Sequence, residues 1–156
     1  QLTNFIAFEV DRTNLGDTPP IPLLQLNAKY QTSSLDKVKE LKLFDRLQSL
    51  MTKDKVFLRS DLSLKEVADM LGTNTKYLSQ VINVQAQSNF HRFINQYRVD
   101  YVKDKMLDPT LRHLTLHGIA LQCGFSSKST FFKVFKEFTG MTPRAFLKNS
   151  KQEEFA

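Results

Sequence analysis

Leu64-Lys-Glu-Val-Ala-Asp-Met-Leu-Gly72 and Leu116-His-Gly-Ile-Ala-Leu-Gln-Cys-Gly124 follow one pattern: Leu, two free positions, an apolar residue, Ala, three free positions, Gly. Asp61 or Ser63 stands ready to cap the first stretch and Thr115 the second. Each glycine is followed within a few residues by another capped, helix-forming run, about Thr75–Asn83 after the first and Lys128–Thr139 after the second. This is the helix-turn-helix pattern. The small Ala68 and Ala120 let a second helix cross close by, and Gly72 and Gly124 admit the left-handed backbone of a tight turn. In such a unit the second helix presents its N-terminal face to a DNA major groove. A plain helical bundle, in which Ala and Gly only serve close packing, would have no reason to repeat the internal spacing.

Outward from the repeat, the segment between the units reads as one long helix, about Asn89–Leu107. Phe90, Phe93, Ile94, Tyr97, Tyr101, Val102 and Leu107 lie near helical spacing, and Asp108-Pro109 stops the run. Its length is about 28 Å at 1.5 Å per residue. One turn of B-DNA is about 34 Å, so a rigid helix of this length holds two recognition helices about one turn apart. Because the recognition helices differ in sequence, the expected DNA site is asymmetric.

On the N-terminal side, Asp17-Thr-Pro-Pro-Ile-Pro22 forbids helix, and residues 1–33 read as an irregular extension. Thr32-Ser-Ser34 then caps an amphipathic lead-in helix within residues 34–55, with Leu35, Val38, Leu41, Leu43, Phe44, Leu47, Leu50 and Met51 as its apolar positions. The double unit occupies residues 56–148, with the first unit at about 63–84 and the second at about 115–139. Thr142-Pro143 opens a last short helix to about Lys148, and 149–156 read as a polar tail. No stretch alternates like a strand. The expected fold is all-α, two helix-turn-helix subdomains joined by a long linker helix, preceded by an extension with one amphipathic helix.

Charge is unevenly placed. Residues 1–75 carry ten Lys and Arg against ten Asp and Glu, while residues 76–148 carry eleven against four. The basic excess therefore lies in the repeat-bearing half, which points to an anionic partner there. One cysteine, Cys123, excludes an intramolecular disulfide and points to a reducing, cytoplasmic setting. No apolar run approaches the ~20 residues a membrane span needs. Gln1–Val10 has neither an initiator Met nor the basic start of a secretory signal, so the chain is expected to begin inside a longer protein.

With these motifs in view, the chain resembles the DNA-binding domain of the AraC/XylS family of bacterial transcription regulators. The second unit carries the resemblance almost throughout Ile119-Ala-Leu-Gln-Cys-Gly-Phe-Ser-Ser-Lys-Ser-Thr-Phe-Phe-Lys-Val-Phe-Lys-Glu-Phe-Thr-Gly-Met-Thr-Pro143. The first adds Leu62-Ser-Leu-Lys-Glu-Val-Ala68, Tyr77-Leu-Ser-Gln80 and Asn89-Phe-x-x-Phe-Ile-Asn-x-Tyr-Arg98. One departure is visible: the family has an aromatic and an Arg after the Thr-Pro, where this chain has Ala145-Phe146-Leu147-Lys148. The lead-in Lys29–Leu58 is similar to that of a subgroup common in Bacteroidetes, whose sensor or membrane-spanning region precedes this domain. That likeness allows an upstream membrane anchor for the full-length protein.

The resemblance implies base contacts from Lys76, Ser79 and Gln80 in the first recognition helix, to which Asn83, one turn on, is added, and from Lys128, Ser129, Phe132 and Lys133 in the second. Side-chain chemistry agrees: Gln and Asn pair with adenine, Lys donates to guanine, and Phe meets a thymine methyl. Phe132 lies off the stripe Phe131, Phe135 and Phe138, so it reads either as a groove-facing aromatic or as a second core aromatic. Asn74, Thr75, Ser127, Lys136 and Arg144 are candidates for phosphate contact, as are His91, Arg92, Arg98 and Thr142 for contact or structure. Arg98 resembles a family Arg of structural role.

Rival readings find less support. There is no Gly-rich phosphate loop, no HExxH and no Ser/His/Asp ordering, so no enzyme is expected. Cys123, one residue before a turn glycine, reads as a small buried hydrophobe. His113, His117 and Cys123 fit no zinc spacing, so neither a metal nor another cofactor is expected. A helical protein-interaction module of a signalling protein is the alternative function. The expected partners are promoter DNA, RNA polymerase and a second copy of the chain, met through the N-terminal extension or an upstream region. No effector pocket is evident, so no small-molecule ligand is expected for this stretch, and signal sensing is expected upstream of Gln1.

Overall fold

A computed structural model describes the backbone of residues 23–153 and the side chains of residues 36–150. Those residues form seven α-helices and no strand: α1 Leu23–Thr52, α2 Leu64–Leu71, α3 Thr75–Ala86, α4 Phe90–Leu107, α5 Leu116–Gln122, α6 Lys128–Thr139 and α7 Pro143–Glu153. Two 3₁₀ turns, Val56–Leu58 and Pro109–Leu111, precede α2 and α5. The all-α fold is as expected, and so is the order of two helix-turn-helix units about one linker helix.

Each start and stop has a local cause. Ser63 and Glu66 form a capping box on α2: the Glu66 amide donates to Ser63 Oγ at 3.2 Å and the Ser63 amide to Glu66 Oε2 at 2.9 Å. Asn74 accepts from the Tyr77 amide, Asn89 from Arg92, Thr115 from Gly118 and Ser127 from Thr130, which caps α3 to α6 in turn. Gly72 ends α2 at φ 64°, and the following Thr73 amide reaches back to the Ala68 carbonyl at 2.9 Å.

Two hydrophobic cores share α4 as a spine. The first packs Leu43, Leu47 and Met51 of α1 with Val67, Ala68 and Leu71 of α2, Leu78, Val81 and Ile82 of α3, and Phe90, Phe93 and Ile94 from the first half of α4. The second packs Val99, Val102 and Met106 from the other half of α4 with Ile119 and Ala120 of α5, Cys123 and Phe125 from the turn that follows, and Phe131, Val134 and Phe135 of α6. Phe57 reaches from the first 3₁₀ turn to α4, with its ring 5.8 Å from Tyr97 and 5.7 Å from Tyr101.

Three boundaries differ from the sequence reading. α1 begins at Leu23, so 23–33 is helical rather than irregular; the proline veto ends at Pro22, and Leu23 to Gln31 holds no breaker. Only part of its expected apolar face is buried, for Val38 and Leu41 stay 48% and 42% exposed. α3 continues past its expected end at about Asn83 to Ala86, where Gln85 donates to Glu40 of α1 at 2.7 Å; Gln87, left-handed at φ 47°, ends it. α7 runs on past Lys148 to Glu153, since Asn149 and Ser150 are weak helix formers but not breakers. The expected irregular segment at 1–22 and the end of the polar tail lie outside the described residues.

Candidate nucleic-acid interface

α3 is amphipathic across its expected reading face. Leu78, Val81 and Ile82 are fully buried, whereas Lys76, Gln80 and Asn83 are exposed and Ser79 is partly so. Residues 76, 79, 80 and 83 recur at three and four, so they share one face. Thr75 is exposed at the N-terminus, and the capping Asn74 spends its carbonyl oxygen on the Tyr77 amide, which leaves its NH₂ as a free donor. Val84, not among the expected residues, stands 56% exposed one turn beyond Gln80. It was detectable as an apolar residue off the buried stripe.

α6 differs in chemistry. Phe131 and Phe135 are buried and Lys128, Ser129, Lys133 and Lys136 are exposed. The Ser127 hydroxyl both accepts from the Thr130 amide and lies 2.9 Å from Thr130 Oγ1, so it is committed to the cap. The two readings of Phe132 meet halfway. Its ring is half-buried, edge-on to Phe131 at 5.3 Å, and it also floors a surface recess under Lys128, whose ammonium sits 5.8 Å from its centre. That recess, of about 740 Å³, gathers Thr115, His117, Lys128, Phe132, Thr142 and Arg144 from three helix starts. His117 was read only as a failed metal ligand. Its Nδ1 is buried without a hydrogen-bond partner, beside two cations.

Other candidates are engaged within the fold. Arg92 pairs with Glu137 and covers the Phe138 ring at 4.8 Å, which ties α4 to α6. Arg98 donates from Nε to the Phe57 carbonyl at 2.8 Å and from its terminal nitrogen to the Arg59 carbonyl at 2.7 Å. Burial lowers its guanidinium from the ordinary value, but an arginine remains charged. His91 is exposed and sits edge-on to Phe90 at 5.7 Å. Burial pushes the Cys123 thiol up to about 12, which leaves it protonated and unreactive at neutral pH. Among the described residues, His113, His117 and Cys123 are not part of any cluster able to hold a metal ion, and no helix is long and apolar enough to cross a membrane.

The arrangement offers two exposed polar helix faces, each backed by its own core and both carried on the 18-residue α4. At 1.5 Å per residue that spine is about 27 Å long, close to one turn of duplex.

Known proteins share this arrangement. A family profile described as "Helix-turn-helix domain" matches residues 57–149. An uncharacterized HTH-type transcriptional regulator of Staphylococcus aureus strain COL is 35% identical over 108 residues, which is 64% of this chain and 14% of that protein. The chain thus spans about a seventh of the length of that relative. The C-terminal domain of AraT, a response regulator from Geobacillus stearothermophilus, superposes with a TM-score of 0.61 at 25% identity, covering 69% of this chain and 84% of that one. A transcriptional regulator of Chromobacterium violaceum, from among AraC-type DNA-binding domain-containing proteins, shares the fold with a TM-score of 0.60 at 18% identity, over 71% of this chain and 94% of that one.

Proposed function

The chain belongs to the AraC-type helix-turn-helix family of transcription regulators, and from that premise we propose that it binds double-stranded DNA through two successive major-groove segments, one for each recognition helix. The observation that carries the reading is the pair of solvent-facing polar stripes on α3 and α6, held by opposite halves of one helix. Lys76, Ser79, Gln80 and Asn83 read base edges in one segment. Lys128, Ser129, Phe132 and Lys133 read the other, with Phe132 offering its edge to a thymine methyl.

Phosphates on either side fix the register without reading sequence. At the start of α3 the Thr75 amide and the Asn74 NH₂ donate to one phosphate. At the start of α6 the free backbone amides do so, because the Ser127 hydroxyl is taken by the cap. Lys136 and Arg144 supply charge further along the same unit. Promoter binding of this kind is non-covalent, and the inert Cys123 has no part in it.

Selection from a random duplex library tests the proposal. The expected product is an asymmetric motif of two blocks centred about one helical turn apart, bound with affinity that falls steeply with salt. Recovery of a single block would show that one unit alone reads bases. No enrichment, with no binding at low salt, would end the DNA-binding reading of this chain.

A further inference from the structure

The two units have separate cores, and α4, packed into both, fixes how one unit is placed about the other only as far as the helix resists bending and twisting. A second connection exists. The Val56–Leu58 turn belongs to the first core through Phe57, yet its backbone is pressed against the turn of the second unit. Gly124 sits there at φ 87°, and a Cβ on it would come within 2.5 Å of the Phe57 carbonyl oxygen and 3.0 Å of the Leu58 one. Glycine is therefore needed twice at this position, for its backbone conformation and for the approach of a neighbouring chain.

Arg98 fills the same junction. It leaves the middle of α4, forks onto the carbonyls of Phe57 and Arg59, and passes 2.9 Å from where a Gly124 Cβ would be. Its guanidinium carbon lies 6.0 Å from the centre of the Phe125 ring, which is buried in the second core. One side chain thus touches the lead-in of the first unit, the spine, and the turn of the second. Phe57 adds its ring against Tyr97 and Tyr101 on the spine.

We propose that Arg98, with Gly124 and the Val56–Leu58 turn, forms a joint that sets the spacing between the two DNA segments, so that Arg98 determines specificity while touching no base. The inference rests on the two-segment reading above. A rigid joint makes spacing part of the code. One extra base pair between the blocks shifts the second by about 3.4 Å and turns it by about 35°. A locked protein cannot follow that change, and a loosened one can.

The test uses the whole chain and duplexes in which the two selected blocks are separated by their natural spacing, one base pair more, or one base pair less. A single-block duplex serves as reference. The wild type is expected to lose about tenfold or more in affinity on either altered spacing, the size of a lost base contact. Arg98→Met keeps the apolar stem and removes the fork; it is expected to bind altered spacings within about threefold of the natural one while binding the single block as the wild type does. Arg98→Lys, which keeps the charge but cannot fork onto two carbonyls, should fall between. Circular dichroism and melting establish that each variant is folded. A folded Arg98→Met that keeps the wild-type spacing preference overturns the joint. Should Arg98→Met not fold, an unchanged preference in Arg98→Lys overturns it equally. A wild type indifferent to spacing, or bound as tightly to one block as to two, instead removes the two-segment reading on which the joint depends.

Discussion

On its exposed face α3 carries two amides and one ammonium, Gln80, Asn83 and Lys76, whereas α6 carries three ammoniums, Lys128, Lys133 and Lys136. The supports differ as well. α2 begins with a carboxylate-bearing capping box, Ser63 with Glu66, while α5 has Gly118 at the equivalent position. Gly72 turns in open space, and Gly124 turns against the backbone of the other unit. Amides discriminate among bases because their donor–acceptor pairs must match an edge. Ammoniums attract every duplex, by displacing counterions. If the two faces meet DNA as proposed, labour is divided between them: the amides of the first unit add more discrimination, and the ammoniums of the second, beside the bases they read, add more of the salt-dependent hold.

The largest effects test whether each unit needs its own core. Phe131→Ala empties a fully buried site in the second core and is expected to cost about 3–5 kcal/mol in urea unfolding. A loss below about 1 kcal/mol would mean that the second core is not packed as described. The paired glycines come next. Gly72→Ala meets nothing within 4 Å, so it incurs only the left-handed penalty of about 1–2 kcal/mol. Gly124→Ala adds a backbone clash and should cost about 1–3 kcal/mol beyond that. Equal costs would place the second turn in open space too.

Binding energies are smaller and sharpen the division directly. Gln80→Ala should lose about 1–3 kcal/mol on the selected duplex, relax choice at one base pair, and leave random DNA little changed. Lys136→Ala should weaken both duplexes alike and lower the salt slope by about 1. Reversed behaviour of the two variants would reverse the roles of the units. The smallest effect is an acid sensitivity confined to the first unit. Hydrogen bonds from the Ser63 side chain and amide, then from Arg59, hold the Glu66 carboxyl below its ordinary 4.5. Its contribution to the α2 cap is therefore present above the ordinary glutamate value, and is lost as pH falls through the lowered one. An NMR titration should find Glu66 below an unstructured glutamate and the Ser63 amide shifting with it, with no matching event at Thr115. A Glu66 midpoint at the ordinary value would remove the box.

Much of this was legible in the sequence because it is written locally. The caps at Ser63, Thr115 and Ser127, the glycine after each first helix, and the separation of Phe131 and Phe135 from the lysines all follow from spacing of three and four. The errors fell where no local signal exists. Leu23 to Gln31 lacks a cap pattern, and the serines near 33 look like a start although they lie inside α1. The run Val84-Gln-Ala-Gln-Ser88, with its two Gln and a Ser, passes for a polar break, yet the contact of Gln85 with Glu40 that extends the helix comes from distant sequence. The same holds at the interface. The faces of α3 and α6 were visible as helical stripes, but the recess at His117 and the Phe57–Arg98–Gly124 junction join residues from three or more elements. Gly124 was recognised as a turn residue; that it must also admit a neighbouring backbone required the tertiary packing.

The central claim, that one domain reads two major-groove segments of a single duplex, is met most directly by methylation interference on the selected site. The account predicts two clusters of interfering major-groove methyls, centred about 10 base pairs apart on one face of the helix. A single cluster, or interference on opposite faces, would contradict it.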